Sequence, residues 1–234
     1  MVENCYFGLR YPFWHTTGVK MTGCELSEDC RAGFWYSDII TIDQSRLNGV
    51  KALRECKNIK ISKTDIDSQE FGWDCENVRI YEGEIKSEYF LMRSKNILME
   101  NAQMMGKYSF QYIENSTVKN CILNTKDAFW HSKNVTVKDT VIIGEYLGWY
   151  SESLTLDNCK IYGTQPLCYC KNLRLINCEM HDCDLAFEKS TVNAHITTPV
   201  KSIKNVLGGK ITVPYVEQII KQDERYQGII EIKA

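Results

Sequence analysis

The chain has 234 residues, 44% hydrophobic and 25% charged, with a formal net charge of -2 at neutral pH. That balance supplies no electrostatic drive towards nucleic acid or an anionic membrane surface, and no apolar run reaches the roughly 20 residues of a membrane-spanning helix. The 11 cysteines are odd in number and follow no leader-like N-terminus, which points to a reducing compartment and a cytoplasmic location rather than a disulfide framework.

From the N-terminus, residues 1–9 read as a partial first coil, and residues 10–199 then repeat with a period of 19. One column of that repeat runs Trp35, Arg54, Trp73, Met92, Gln111, Trp130, Trp149, Cys168 and Phe187, with Trp14 ahead of it. A period this regular marks a solenoid in which each repeat is one turn. Four positions after the Trp column stand Asn58, Asn77, Asn96, Asn115, Asn134 and Asn172, with Ser153 in the same register. Apolar columns follow, such as Ile59, Val78, Ile97 and Val135, then Ile61, Ile80, Met99 and Val118, then Leu47, Ile66, Ile85 and Met104. Apolar–polar alternation rich in β-branched residues is a strand pattern, not a helical one.

Three short strands fit into each repeat. The expected fold is all-β: a right-handed, single-stranded parallel β-helix of about 10 coils in one domain, on the order of 50 Å long at the strand-pairing distance. The asparagines are expected to form a ladder that satisfies buried turn groups. Cys24, Cys121, Cys159 and Cys178 share a column with Ser45 and Thr64, and Cys56, Cys75 and Cys170 share one with Ser94 and Ser132. Cysteine at these corners is expected to act as a small packing residue.

Residues 200–234 leave the 19-residue pattern. Gly208-Gly209 and Pro214 interrupt it, Val216, Ile219 and Ile220 suggest one face of a short helix, and Ile229, Ile230 and Ile232 a last strand. The tail is expected to be a C-terminal cap over the strand ends, which would otherwise stay unpaired.

Several stretches are distinctive: KALREC (51–56), KYSFQY (107–112), TKDAFWHSKNVTV (125–137), GEYLGWYS (144–151), GTQPLCYCKNL (163–173) and DLAFE (184–188). Together, over roughly residues 10–220, they resemble the bacterial family catalogued as domain of unknown function 3737. The resemblance implies a pectate-lyase-like right-handed β-helix and no particular activity. A hydrogenase label carried by some members finds no support here, because nickel–iron and iron–sulfur centres need clustered thiolates at ligand spacing.

The candidate chemistry lies around the Trp column. Strand alternation predicts that this column points inward, leaving two solvent-facing columns. One contains Glu55, Asp74, Arg93, Tyr112, His131 and Tyr150; the other contains Glu70, Tyr108, Asp127 and Tyr146. The Phe34, Phe110 and Phe129 column between them is expected to face solvent too. Aromatic rings beside acids suit carbohydrate, since rings cover the apolar faces of sugars and charged groups hydrogen-bond hydroxyls. The ligand-binding candidates are therefore Glu55, Glu70, Asp74, Arg93, Tyr112, Asp127, His131 and Tyr150.

Glu55, Glu70 and Asp74 could supply the carboxylate pair of a glycoside hydrolase, or with Arg93 the base and acids of a polysaccharide lyase. The competing reading is a surface charge row neutralised by Lys51, Arg54 and Arg93. Cys168, Cys170, Cys178, His181 and Cys183 have the chemistry of zinc ligands, but core packing is the favoured reading. No metal and no cofactor are expected, and no nucleotide or phosphate-loop motif is present. The leading expectation is a β-helix that binds carbohydrate, and the alternative is a structural protein that associates as a homodimer through its aromatic face.

Overall fold

The computed structural model describes residues 1–233. It is an all-β parallel solenoid of about 12 turns with coils of about 19 residues. Each coil contributes one strand to each of two long ladders. In the first, 57–62, 76–81, 95–100, 114–119, 133–138 and 152–157 pair in parallel register, so that Ile59 faces Val78 and Val78 faces Ile97. In the second, 65–67, 84–87, 103–107, 122–126 and 141–143 stack in the same way. The third side forms true strands in the first coils, where Phe13–Trp14, Phe34–Trp35 and Leu53–Arg54 pair, and again in the last, where Val200–Lys204 pairs with Ala186 and with Val216–Ile220. Between them it is mostly a chain of turns.

The interior is built from the predicted apolar columns. Ile59, Ile61, Val78, Ile80, Val135 and Val137 line one wall, and Leu47, Ile66, Ile85, Met104 and Leu123 the other. The third wall departs from expectation. Phe34, Phe110 and Phe129 are fully buried, and Phe110 and Phe129 stack at 4.8 Å with their planes 5° apart. The tryptophans of the Trp column, expected inside, lie at the rim: Trp35, Trp73, Trp130 and Trp149 are half-buried and Trp14 is 58% exposed, whereas Gln111, Cys168 and Phe187 of the same column are buried as expected. The reason is local backbone. Phe110, Tyr112, Phe129 and His131 all have left-handed φ values of 54–60°, so side chains do not alternate across the third side as they would in an extended strand. Burial there falls stepwise, from Phe129 through Trp130 to His131.

The asparagine ladder exists, but on the surface. Asn77 donates to Asn58 at 2.9 Å and Asn96 to Asn77 at 3.1 Å, and all three are exposed with left-handed φ. Asparagine tolerates that conformation better than most residues. Each sits near the start of a first-ladder strand, in register with its neighbours, rather than rescuing a buried turn. A second ladder at the next corner includes Asn120 to Asn101 at 2.6 Å and Asn158 to Asp139 at 2.7 Å.

All 11 cysteines are free and all but Cys5 are buried. Their columns do more than fill space. The Cys56 amide donates to Cys75 Sγ at 3.4 Å, and the Cys75 amide to Ser94 Oγ at 2.8 Å, so sulfur or hydroxyl accepts a bond from the coil before it. Burial pushes the Cys56 thiol up to about 11 and the Cys168, Cys170 and Cys183 thiols to about 12, which leaves these sulfurs unreactive.

The C-terminal segment is not a helical cap. Val216–Ile220 is a strand paired in parallel with Val200–Lys204, and Ile229–Ile232 pairs with Gly208–Val213. No helix occurs among the described residues. Apolar spacing over five residues fits either structure, and β-branched Val and Ile beside an open strand edge resolve it in favour of a strand. The coils continue, with Thr191 facing Gly208 and Val200 facing Val216. At the other end, Val2–Glu3 and Tyr6–Phe7 pair with Met21–Thr22 and Glu25–Leu26, so residues 1–9 are part of the ladder system.

Candidate functional site

The third side carries the predicted site residues on one strip parallel to the solenoid axis, and its two ends differ. At the N-terminal end the acids are neutralised. Arg54 lies over the Trp35 and Trp73 rings at 5.8 and 5.1 Å, and its Nε meets Glu55 Oε1 at 3.1 Å. Its Nη1 approaches Glu70 at 3.6 Å, where Lys51 Nζ also stands at 3.4 Å. Glu55 Oε1 further accepts the Trp35 indole N–H at 3.2 Å. Asp74 is gripped by Arg93 through two bonds of 2.7 Å, and the Arg93 guanidinium lies 5.2 Å from the Trp73 ring. The Asp74 hydrogen bonds hold the Arg93 guanidinium above its ordinary value. Glu55, Glu70, Asp74 and Arg93 therefore form a mutually satisfied cluster, built on the charges that the sequence places in adjacent coils.

Towards the C-terminus the strip becomes aromatic. Tyr112, His131, Tyr150 and Tyr169 stack in sequence at 4.9, 4.9 and 4.8 Å, with interplanar angles of 5–11°. The stacking follows from the fold, because residues one repeat apart sit one coil apart. It has a chemical consequence. The ring faces cover one another, so the ladder shows solvent its ring edges, hydroxyls and imidazole nitrogens. A sugar cannot lie flat on these faces except at the ends of the stack.

The Trp column supports the strip from behind. Indole N–H groups of Trp73, Trp130 and Trp149 donate at 2.7–2.8 Å to the carbonyls of Tyr89, Tyr146 and Gln165 in the following coil. Gln111 takes the same place with its amide, donating to the Asp127 carbonyl at 3.2 Å. This explains why glutamine replaces tryptophan in the column: both carry an N–H donor at suitable reach.

Asp127 stands apart from the other acids. It lies between Tyr108 and Tyr146 in the second column, is 6% exposed, and pairs with no Lys or Arg among the described residues. Burial raises its carboxyl above the ordinary range; Lys126 opposes the shift and Glu145 adds to it. A desolvated carboxyl in an aromatic row is the strip's most functionally suggestive group. It should also cost stability. A raised folded value means the native state binds more protons than the unfolded one over that interval, so stability falls as pH rises through it. Asp127→Asn should therefore raise the melting temperature at pH 7 and flatten its decline above pH ~4, the ordinary carboxylate range. Thermal melts across pH check this; a lower melting temperature for the variant at pH 7 would contradict it.

Tyr108, Tyr169 and Gln111 also belong to the strip but are not among the ligand-binding candidates of the sequence, which there include Tyr112, Asp127, His131 and Tyr150. The first two lie in the same columns, so the repeat itself carried the signal. The amide role of Gln111 is visible only in three dimensions. Cys168, Cys170 and Cys178 point their thiols at backbone carbonyls, those of Leu185, Gly148 and Leu156 respectively. No cluster of three or more His, Cys, Asp or Glu side chains suited to a metal forms among the described residues.

A family model described as DUF3737, protein of unknown function, matches residues 1–233. Comparison with curated proteins and with solved structures finds no match.

Proposed function

The chain belongs to the DUF3737 family, and since that membership brings no activity with it, we propose from the geometry that the aromatic strip binds an extended polyhydroxylated ligand of glycan type. The ligand lies along the solenoid axis and meets the strip edge-on. The observation that carries this reading is the pair of parallel rows, Tyr112–His131–Tyr150–Tyr169 beside Tyr108–Asp127–Tyr146. Polar ring edges recur there at 4.8–4.9 Å steps, with a carboxyl that lacks an ion partner among them. A chain of repeating hydroxyl-bearing units can hydrogen-bond successive coils, and the rims of the rings supply apolar contact. Right-handed winding, the near-universal sense of parallel strand crossovers, belongs to the same proposal.

The strip favours binding over bond cleavage. A glycosidase needs two carboxyls with separate roles, and Glu55, Glu70 and Asp74 are each held by guanidinium or ammonium groups. Calorimetric titration of neutral and acidic oligosaccharides against the wild type tests the reading. Asp127→Asn exchanges one acceptor oxygen and the charge for an amide donor, Tyr150→Phe removes a hydroxyl, and each should weaken binding about 3–10-fold. Tyr150→Phe leaves the ring stack in place, which separates lost recognition from lost folding. A panel in which no oligosaccharide binds, or in which both variants bind like wild type, removes the proposal.

One observation favours a second reading. Tyr36, Tyr112 and Tyr150 are 45–47% exposed along one line, and an exposed aromatic stripe can be covered by a second copy of the chain. Sedimentation at rising concentration distinguishes the two, because a persistent monomer leaves the stripe free for a ligand.

A further inference from the structure

A concavity lies over the outer face of the second ladder, on a different side from the aromatic strip. It is a groove of 1070 Å³ that runs along the solenoid axis. Its floor is made by two outward columns, Glu25, Arg46, Asp65, Glu84, Gln103 and Ile122 in one, and Asn48, Asp67, Lys86, Met105, Asn124 and Ile143 in the other.

The groove has two halves. In the first half, Glu25, Glu28, Asp29, Asp65, Asp67 and Glu84 face only Arg46 and Lys86. Lys86 is already paired with Asp67 at 2.9 Å. Among the described residues, the other five carboxylates form no ion pair. This contrasts with the first ladder, where Lys57–Glu76 and Lys95–Glu114 bridge successive coils. In the second half, Met105, Ile122 and Ile143 are 59%, 44% and 40% exposed in adjacent coils. Outward-facing apolar residues in contiguous positions mark a contact surface, and unpaired acids within a concavity focus negative potential.

We infer that this groove docks a cationic amphipathic helix of a partner protein. Charge complementarity sets its sign: Lys or Arg residues would meet Asp65, Glu84 and Glu25, and an apolar face would cover Met105, Ile122 and Ile143. Geometry favours a helix. Helical turns rise 5.4 Å and successive coils about 4.8 Å, so one side chain per turn meets each coil. The seven coils from Glu25 to Ile143 span on the order of 29 Å, which calls for a helix of roughly 18–20 residues. A second copy of the chain does not supply one, since its described residues contain no helix.

The test uses the full chain and a fluorescein-labelled amphipathic peptide of about 18 Leu and Lys residues, followed by anisotropy. A Leu/Glu peptide of the same pattern serves as its opposite. The Leu/Lys peptide should bind and the Leu/Glu peptide should not. Asp65→Lys with Glu84→Lys should weaken binding about tenfold, as should Ile122→Asp with Ile143→Asp. Glu217→Lys with Glu224→Lys makes the same change in net charge on exposed residues outside the groove, and should alter affinity by less than about twofold. If charge reversal unfolds the protein, Asp65→Asn with Glu84→Gln carries the test with a smaller loss in the same direction. The inference is overturned if the Leu/Lys peptide fails to bind. It is overturned equally if the remote pair costs as much as the groove pair, or if the Ile variants bind like wild type, because net charge would then account for the binding.

Discussion

Phe129→Ala is expected to lower the unfolding free energy by about 3–5 kcal/mol. The side chain is completely buried and stacks on Phe110 at 4.8 Å with nearly parallel planes. Alanine leaves a void in mid-solenoid, and the backbone cannot close it without breaking register with the coils on either side. Loss of the ring pair adds to the transfer term. Solenoid stability is a sum of coil and nearest-neighbour terms, so the same change near an end should cost less. Phe13 stacks on Phe34 at 4.7 Å but is 8% exposed and belongs to the outermost pair on the third side. Urea titrations followed by far-ultraviolet circular dichroism compare the two variants. If Phe129→Ala costs less than about 1 kcal/mol, or no more than Phe13→Ala, the third wall of the core has been misassigned.

The second large effect is expected at Gly106. A Cβ there would stand 1.7 Å from the Ser87 carbonyl oxygen and 2.8 Å from its carbon. Backbone cannot yield as a side chain can, so Gly106→Ala should cost about 2–4 kcal/mol through forced displacement of the adjacent coil. The column explains the position. It runs Ser87, Gly106, Thr125, Gly144 and Gly163, and a Cβ on Gly144 or Gly163 would also meet the carbonyl oxygen of the preceding coil, at 2.4 and 2.2 Å. Gly208 provides the contrast: its nearest neighbour would be a Thr191 methyl at 3.8 Å. Gly208→Ala should be neutral or slightly stabilising, because it restricts the unfolded chain at no native cost. Thermal melts of the two variants give the comparison, and equal melting temperatures would show that the coils have room at this corner.

Both expectations rest on which residues touch across coils, and that much is legible in the letters. A 19-residue period makes residues one repeat apart into neighbours whatever the shape of the coil. The stacking of Tyr112 with His131 and Tyr150, the hydrogen bond from Asn77 to Asn58, and the shared corners of Cys56, Cys75 and Ser94 all follow from the period alone. So does the burial of Ile59, Val78 and Ile66, where short strands preserve strict alternation.

Which way the third side faces was not legible, and the physical reason is backbone conformation. The left-handed φ values of Tyr108, Phe110, Tyr112 and Phe129 belong to residue types that rarely adopt them, and Gly72 and Gly148, the glycines of the Phe110 column, are the one faint mark of the conformation. Period-2 reasoning therefore put Trp130 inside and Phe129 outside. The coils above and below hold these conformations by pairing their amides, as in Tyr112 N–H to the Trp130 carbonyl at 2.8 Å and His131 N–H to the Trp149 carbonyl at 2.9 Å. The tail shows the same division. The letters of Val216–Ile220 allow a helix or a strand, and the open edge of Val200–Lys204 determines which. The sequence by itself determined the stack, its core columns and the residues gathered on one strip. Only the tertiary structure decided that the phenylalanines are core, that the tyrosines present edges instead of faces, and that Glu55, Glu70 and Asp74 are neutralised by neighbours, because each depends on contacts between coils that no single repeat contains.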